Sequence, residues 1–199
     1  MPSRVLIIDT SVLCCLLQVP GKETCGSGSE RWDKSRVEML LAKERGSTLV
    51  LPLATIIETG NHIAQTSGNR FVVAQEFAKY LTAAADGASP WAAFTEQAEL
   101  WGSDQLKTLS QDWPALAAAQ TSIGDATIKD VAEFYAKASY EVEIVTGDAG
   151  LKAYEPAHKP LIPRRRQLHA QASTARKARA LPSTCWGLRR QIPVRQAVS

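Results

Sequence analysis

The stretch "RVLIIDTSVL", residues 4–13, decides how the rest of the chain is read. Residues 5–8 are apolar, rich in β-branched side chains and without alternation, the pattern of a central strand covered on both faces. The run ends on a carboxylate, Asp9, followed by the small polar residues Thr10 and Ser11 before the chain turns apolar again. A charge at the end of a buried strand has two readings. It is a turn former or helix cap, or it is the first member of a site at the carboxyl end of a sheet.

Working outward, the sequence predicts strands alternating with helices. A helix is expected over residues 32–45, stopping at Gly46, and the run "TLVLP" at 48–52 reads as a second strand. Further helices are expected over residues 53–65, 70–85, 91–109 and 125–139. A third strand-like run, "VEIVT" at 142–146, breaks at Gly147. This order predicts an α/β fold with three layers, helix, small parallel sheet and helix. Its first domain spans residues 1–163. Residues 164–199 form a separate basic tail, helical in part or loosely ordered.

The bulk properties agree with a globular body. The 199 residues suffice for one domain with a substantial core plus an appendage, and fractions of 45% hydrophobic and 22% charged are ordinary for a soluble protein. No uninterrupted apolar stretch is long enough to span a bilayer, and Asp9 interrupts the one stretch that resembles a leader, so a cytoplasmic protein without membrane contact is expected. Cys14, Cys15, Cys25 and Cys185 form no CxxC pair and have no His at zinc-ligand spacing, which argues against structural zinc and a disulfide framework. The net charge of +3 conceals an asymmetry: residues 164–199 hold nine Lys or Arg and no acid, leaving 14 basic against 20 acidic side chains in residues 1–163.

Four carboxylates stand where apolar elements end or begin. Asp9 closes the first strand, Glu58 lies a turn into the helix after the second, Asp125 opens a helix in "SIGDATIKDVAEFYA", and Asp148 follows the third strand in "EIVTGDAGL". Taken singly, each Asp is more often a cap than a catalyst. Glu58 shares a helical stripe with Asn61, His62 and Gln65, which is either a solvated face or the lining of a cleft. Helix geometry separates Asp125 from Asp130. Asp125 extends the core stripe of Ile128, Val131, Ala132 and Tyr135, whereas Asp130 belongs with Glu133 and Lys137 on the outer face. Converging carboxylates repel one another, and a hard cation such as Mg²⁺ or Mn²⁺ relieves that repulsion while activating water against a phosphodiester.

The order Asp9, Glu58, Asp125, Asp148 on these elements resembles the PIN-domain nucleases, with "IIDTSVL" and "IVTGDAGL" as the more specific contexts, across nearly all of residues 4–155. The resemblance implies a small parallel sheet between helices and Mg²⁺- or Mn²⁺-dependent cleavage of RNA. It implies Asp9, Asp125 and Asp148 as direct metal ligands, and Glu58 as a ligand through water, at a second ion or on the attacking water. Ser11 and Thr146 match positions where the family places a hydroxyl that orients a carboxylate or a bound water. Many members are toxins paired with an antitoxin and others act in RNA processing or defence, so an antitoxin or another protein partner is implied beside the RNA substrate. Residues 86–122 make the middle longer than in compact toxin members, and the basic tail lies outside the family pattern.

Other chemistries fit less well. A haloacid-dehalogenase-type phosphatase needs a second Asp two residues after the first, where this chain has Ser11, and a response-regulator receiver needs paired acids after the first strand, where it has Thr10. "GSGS" at 26–29 lacks the further glycine of a dinucleotide loop and the Lys of a P-loop, and no HExxH or GxSxG occurs. The rival from another class is a PIN-like module that binds RNA or protein without cutting. In the tail, Arg164, Arg165 and Arg166 are candidate contacts to a nucleic-acid backbone. Trp91, Trp101 and Trp113, expected to be exposed, are candidates for a homodimer surface.

Overall fold

The computed structural model describes residues 3–157; the basic segment 164–199, with Arg164, Arg165 and Arg166, lies outside the described residues. Three parallel strands, β1 (Arg4–Ile8), β4 (Thr48–Val50) and β5 (Glu141–Val145), form a sheet in the order β4-β1-β5. The strand that opens the sequence is therefore central. Its register sets Ile7 opposite Val50 on one side and Ile144 on the other. A two-stranded antiparallel ribbon, β2 (Thr24–Cys25) with β3 (Trp32–Asp33), lies apart from this sheet.

Alternation along the strands divides the core in two, because successive side chains point to opposite faces. Leu6, Ile8, Leu49 and Val145 pack with α1 (Thr10–Leu17), α2 (Lys34–Lys43), α3 (Leu53–Gln65) and α4 (Arg70–Ala85). Val5, Ile7, Val50 and Ile144 pack with α6 (Ile123–Lys137) and α7 (Ala149–Lys152). Helices on both faces of a parallel sheet make the expected three-layer α/β/α arrangement. Cys14 and Cys15 are buried among the first set, as small hydrophobes.

Both edges of the sheet are covered. On β4, Leu49 N–H donates to Pro90 O at 2.8 Å, and Ala92 N–H donates to Leu49 O at 2.8 Å. On β5, Ile144 N–H donates to a Glu155 carboxylate oxygen at 2.8 Å, while Lys152 Nζ donates to Ile144 O at 3.0 Å and to Glu155 at 2.6 Å. Arg4 bridges Glu44 at 2.8 Å and also pairs with Glu143, tying α2's end to the sheet.

Several helices match the expected spans, and the differences have physical causes. α2 begins at Lys34 because Asp33 caps it, accepting from Arg36 N–H at 2.8 Å, so Trp32 and Asp33 are strand instead. Residues 91–109 are not one helix. Trp91 bridges to Leu49 beside β4, a 3₁₀ segment covers Phe94–Trp101, and α5 (Ser103–Ala118) follows Gly102. Trp91 is 8% exposed, stacked edge-on against Tyr80, which removes it from the expected exposed surface; Trp101 and Trp113 are half-buried.

Ile128, Val131, Ala132 and Tyr135 are buried as the helical spacing predicts. Asp130 is half-buried and lines a cleft with Glu99, Ser103 and Lys137, because α5 covers part of the face expected to be open. Burial, opposed by Lys129 and aided by Glu133 and Asp112, holds its carboxyl above the usual range. A carboxyl raised in the fold stabilises at low pH, and that contribution is lost as pH rises through its folded value. Asp130→Asn is therefore expected to raise the melting temperature at pH 7, with the gain vanishing on acidification below about 4, the ordinary Asp value. Ile7→Ala, at a fully buried position in the central strand, is expected to cost about 2–5 kcal/mol in urea unfolding.

Candidate metal centre at the carboxyl end of the sheet

Asp9 follows directly on β1 and caps α1. Its Oδ1 accepts from Thr10 N–H at 2.7 Å, and its Oδ2 accepts from Ser11 Oγ at 2.6 Å, Ser11 N–H at 3.3 Å and Thr146 Oγ1 at 2.8 Å. The side chain is 6% exposed, so these donors replace the water that a buried carboxylate loses. Asp9 is thus a helix cap that sits at the sheet's carboxyl end.

The two hydroxyls extend the network to β5. Ser11 Oγ accepts from Gly147 N–H at 3.2 Å, and Thr146 Oγ1 accepts from Asp148 N–H at 2.9 Å. Asp148 in turn caps α7, its Oδ1 accepting from Gly150 N–H at 2.6 Å and Leu151 N–H at 3.1 Å. Glu58 joins from α3, where Thr10 Oγ1 donates to its Oε2 at 3.0 Å. One turn earlier, buried Thr55 Oγ1 donates to Ile8 O at 2.9 Å, fixing α3 against the end of β1 and so aiming Glu58 at the same mouth.

Asp125 arrives by a separate capping motif. Ser122 caps α6: Asp125 N–H donates to Ser122 Oγ at 3.0 Å, and Ser122 Oγ donates to Asp125 Oδ2 at 2.8 Å. Between them, Gly124 lies against Glu58, and a Cβ there would collide with Glu58 Oε1. Gly147 plays the matching part before Asp148, since a Cβ there would meet Cys25 Sγ at 2.6 Å. Two Gly-Asp pairs, 124–125 and 147–148, thus each place a carboxylate next to a backbone that another residue approaches closely. The sequence points to Thr10 and Ser11 as hydroxyls beside Asp9 but assigns neither glycine this packing role, although the repeated Gly-Asp dipeptide is there to be read.

Within this network each of the four carboxylates retains one oxygen with little or no protein partner. Among the described residues these are Asp148 Oδ2, Glu58 Oε1 and Asp125 Oδ1, with no hydrogen bond, and Asp9 Oδ1, with a single one. Such oxygen-only donors suit Mg²⁺ or Mn²⁺ in kind. In placement they are more open: among the described residues no three His, Cys, Asp or Glu side chains are close enough to enclose an ion together. Direct ligation by Asp9, Asp125 and Asp148 at once is therefore not assembled in this arrangement. Mg²⁺ keeps several of its waters, and carboxylates reach such an ion through them.

An open cleft of about 810 Å³ adjoins Asp148, lined by Thr146, Gly147, Trp32, Arg36, Lys43 and Lys152. Arg36 lies over the Trp32 ring at 4.3 Å. Cations, an aromatic face and the carboxylates of Glu30 and Glu143 thus border the acidic mouth on one side. His62, in the stripe with Glu58, is half-buried, and desolvation lowers its pKa, so it is held toward the neutral form.

Cys25 also reaches this region. Its Sγ lies 3.5 Å from Cys15 Sγ, and the Cys15 thiol donates to it. That bond is the main cause lowering the Cys25 pKa to about 7, against the opposing effect of burial, with Ser11 and Gly147 adding smaller contributions. Ser11 has one proton, and its 2.6 Å bond to Asp9 claims it, so Cys15 is the donor that matters.

Asp9→Asn would turn an N–H donor toward Thr10 N–H or toward the three donors on the other oxygen, and is expected to cost about 1–3 kcal/mol in urea unfolding. Asp148→Asn keeps an oxygen cap at an exposed position, and is expected to stay within about 0.5 kcal/mol of wild type. No family model, no curated protein and no solved structure matches the chain.

Proposed function

We propose that the protein is a metal-dependent endoribonuclease of the PIN-like kind, hydrolysing RNA phosphodiester bonds at Asp9, Glu58, Asp125 and Asp148. The observation that carries this reading is the hydroxyl network of Thr10, Ser11 and Thr146. It joins the carboxylates of Asp9 and Glu58 and the backbone N–H of Asp148, from three separate elements, at one end of a parallel sheet. Bound Mg²⁺ or Mn²⁺ would supply charge neutralisation and a more acidic water. The residues that would hold it are Asp9, Asp125 and Asp148, directly or through water, with Glu58 beside them.

The chain's own groups have distinct parts in this chemistry. Thr146 and Ser11 fix the Asp9 carboxylate, so that its remaining lone pairs point in one direction. Thr10 holds one oxygen of Glu58, leaving the other to orient a water or accept its proton. Lys43 gives the adjoining cleft a cation for a flanking phosphate, beside Arg36 and Lys152, which pair with Glu30 and with Glu143 and Glu155, and Trp32 under Arg36 gives it an aromatic floor. Arg164, Arg165 and Arg166 are proposed to add sequence-independent backbone contacts. An antitoxin or other protein partner, and a homodimer, belong to this reading as further proposals. So does a cytoplasmic setting; no helix among the described residues is long and apolar enough to cross a membrane.

A second reading, a PIN-like module that binds RNA or a partner protein without cutting, is favoured by one observation: among the described residues no three ligating side chains close on a point. Cleavage of labelled single-stranded and hairpin RNA in Mn²⁺ distinguishes the two. The nuclease reading expects cleavage that EDTA abolishes. Asp148→Asn, the variant least coupled to stability, is expected to lower the rate at least 100-fold with an unchanged unfolding curve, a loss of about 2.7 kcal/mol in transition-state stabilisation. RNA binding without cleavage, and without Mn²⁺ binding by calorimetry, would establish the non-cutting module.

A further inference from the structure

Cys15 and Cys25 are not used by the acidic centre, yet among the described residues their thiols lie within hydrogen-bonding distance of each other beside it. They come from α1 and from the β2–β3 ribbon, ten residues apart in sequence, and their sulfurs lie 3.5 Å apart. A disulfide needs about 2.05 Å, so closure requires an approach of about 1.5 Å. The ribbon is the element able to make it. β2 pairs with β3 through two residue pairs only, and Gly26 immediately after Cys25 has φ +73°, a left-handed turn. Cys15, by contrast, is fully buried in α1. Cys25 is half-buried, so a small oxidant reaches it first.

We propose that Cys15 and Cys25 form a peroxide-oxidised dithiol site, in which Cys25 is the sulfur attacked and Cys15 the one that resolves it. The Cys25 sulfur attacks one oxygen of a hydroperoxide, the O–O bond breaks, and the leaving oxygen departs as water or alcohol with a proton. This leaves a sulfenic acid on Cys25. The Cys15 sulfur then attacks the Cys25 sulfur, the S–O bond breaks, and water leaves with the Cys15 proton. Two thiols lose two electrons in total, and one peroxide gains them. The lowered pKa of Cys25 is consistent with its being the nucleophile.

Closure would also act on the acidic mouth. Cys25 Sγ rests on Gly147, where an added Cβ would lie 2.6 Å from it, and Gly147 stands between Thr146 and Asp148. Drawing the sulfur toward Cys15 withdraws it from that backbone. The segment whose N–H groups bond Ser11 and Thr146 then loses its packing partner. This consequence rests on the proposed nuclease reading, whereas the oxidation itself does not.

The test is limited peroxide treatment of the full-length protein, quenching with N-ethylmaleimide, and tryptic mapping without reductant. The expected product is peptide 5–22 joined to peptide 23–31 with loss of two hydrogens, reversed by dithiothreitol. Cys14→Ala should retain the link and Cys25→Ser should abolish it, leaving Cys15 unmodified. If Cys14→Ala does not fold, fragment ions that separate Cys14 from Cys15 in the wild-type product decide the same point. A Cys25 sulfinic acid beside an intact Cys15 thiol, or a link to Cys14 or Cys185, would overturn the proposal. Mn²⁺ affinity and RNA cleavage of the reduced and oxidised forms then test the coupling. Inactivity of the reduced form counts against the nuclease reading alone, whereas equal activity of the two forms counts against the coupling alone.

Discussion

Everything at the carboxyl end of the sheet depends on the hydrogen bonds converging on the Asp9 carboxylate. A negative charge at 6% exposure is unfavourable unless donors replace its water. Here the donors are two N–H groups at the start of α1 and the hydroxyls of Ser11 and Thr146. The first two tie the charge to its own helix. Thr146 ties it to β5, and Thr10 links the same helix start to Glu58 on α3. One buried charge thereby fixes the relative position of three elements distant in sequence. The same bonds that make a charge at Asp9 tolerable in the core also fix the orientation of its carboxylate.

These contacts between distant segments mark what the sequence could and could not disclose. The alternation of elements was legible because each strand is short, apolar and punctuated, and because α3 and α4 carry clear helical spacing between breakers. The core stripe of α6 was legible for the same reason, whereas Asp125 and Asp130, assigned from it to the core stripe and the outer face, are both half-buried. That Asp9 and Asp148 end strands was also legible, but whether such an Asp caps a helix or serves a site was posed as a choice. The structure gives both residues capping bonds, and among the described residues it leaves Asp148 Oδ2 without a partner and Asp9 Oδ1 with a single one, so a cap and a site are not exclusive alternatives.

Other features were hidden because they arise from contacts between distant segments. Residues 91–109 carry helix-favouring composition, yet Trp91 is drawn to the edge of β4, where a backbone pair and a buried ring outweigh local propensity. The approach of Cys25 to Cys15 depends on the ribbon folding back over α1, which no spacing of four cysteines announces. Gly124 and Gly147 look like ordinary turn residues. Their significance lies in what occupies the space where a side chain would be, Glu58 in one case and Cys25 in the other.

The covered edges of the small sheet have a consequence of their own. A three-stranded sheet normally offers two rows of unpaired backbone groups to any extended peptide. Here the Pro90–Ala92 segment occupies one row beside Leu49, and the Glu155–Lys152 pair grips both polar groups of Ile144 on the other. Strand addition, a widespread way for one chain to clasp another, has little purchase on either side. Among the described residues, a strand could join this sheet only by displacing one of these two covers.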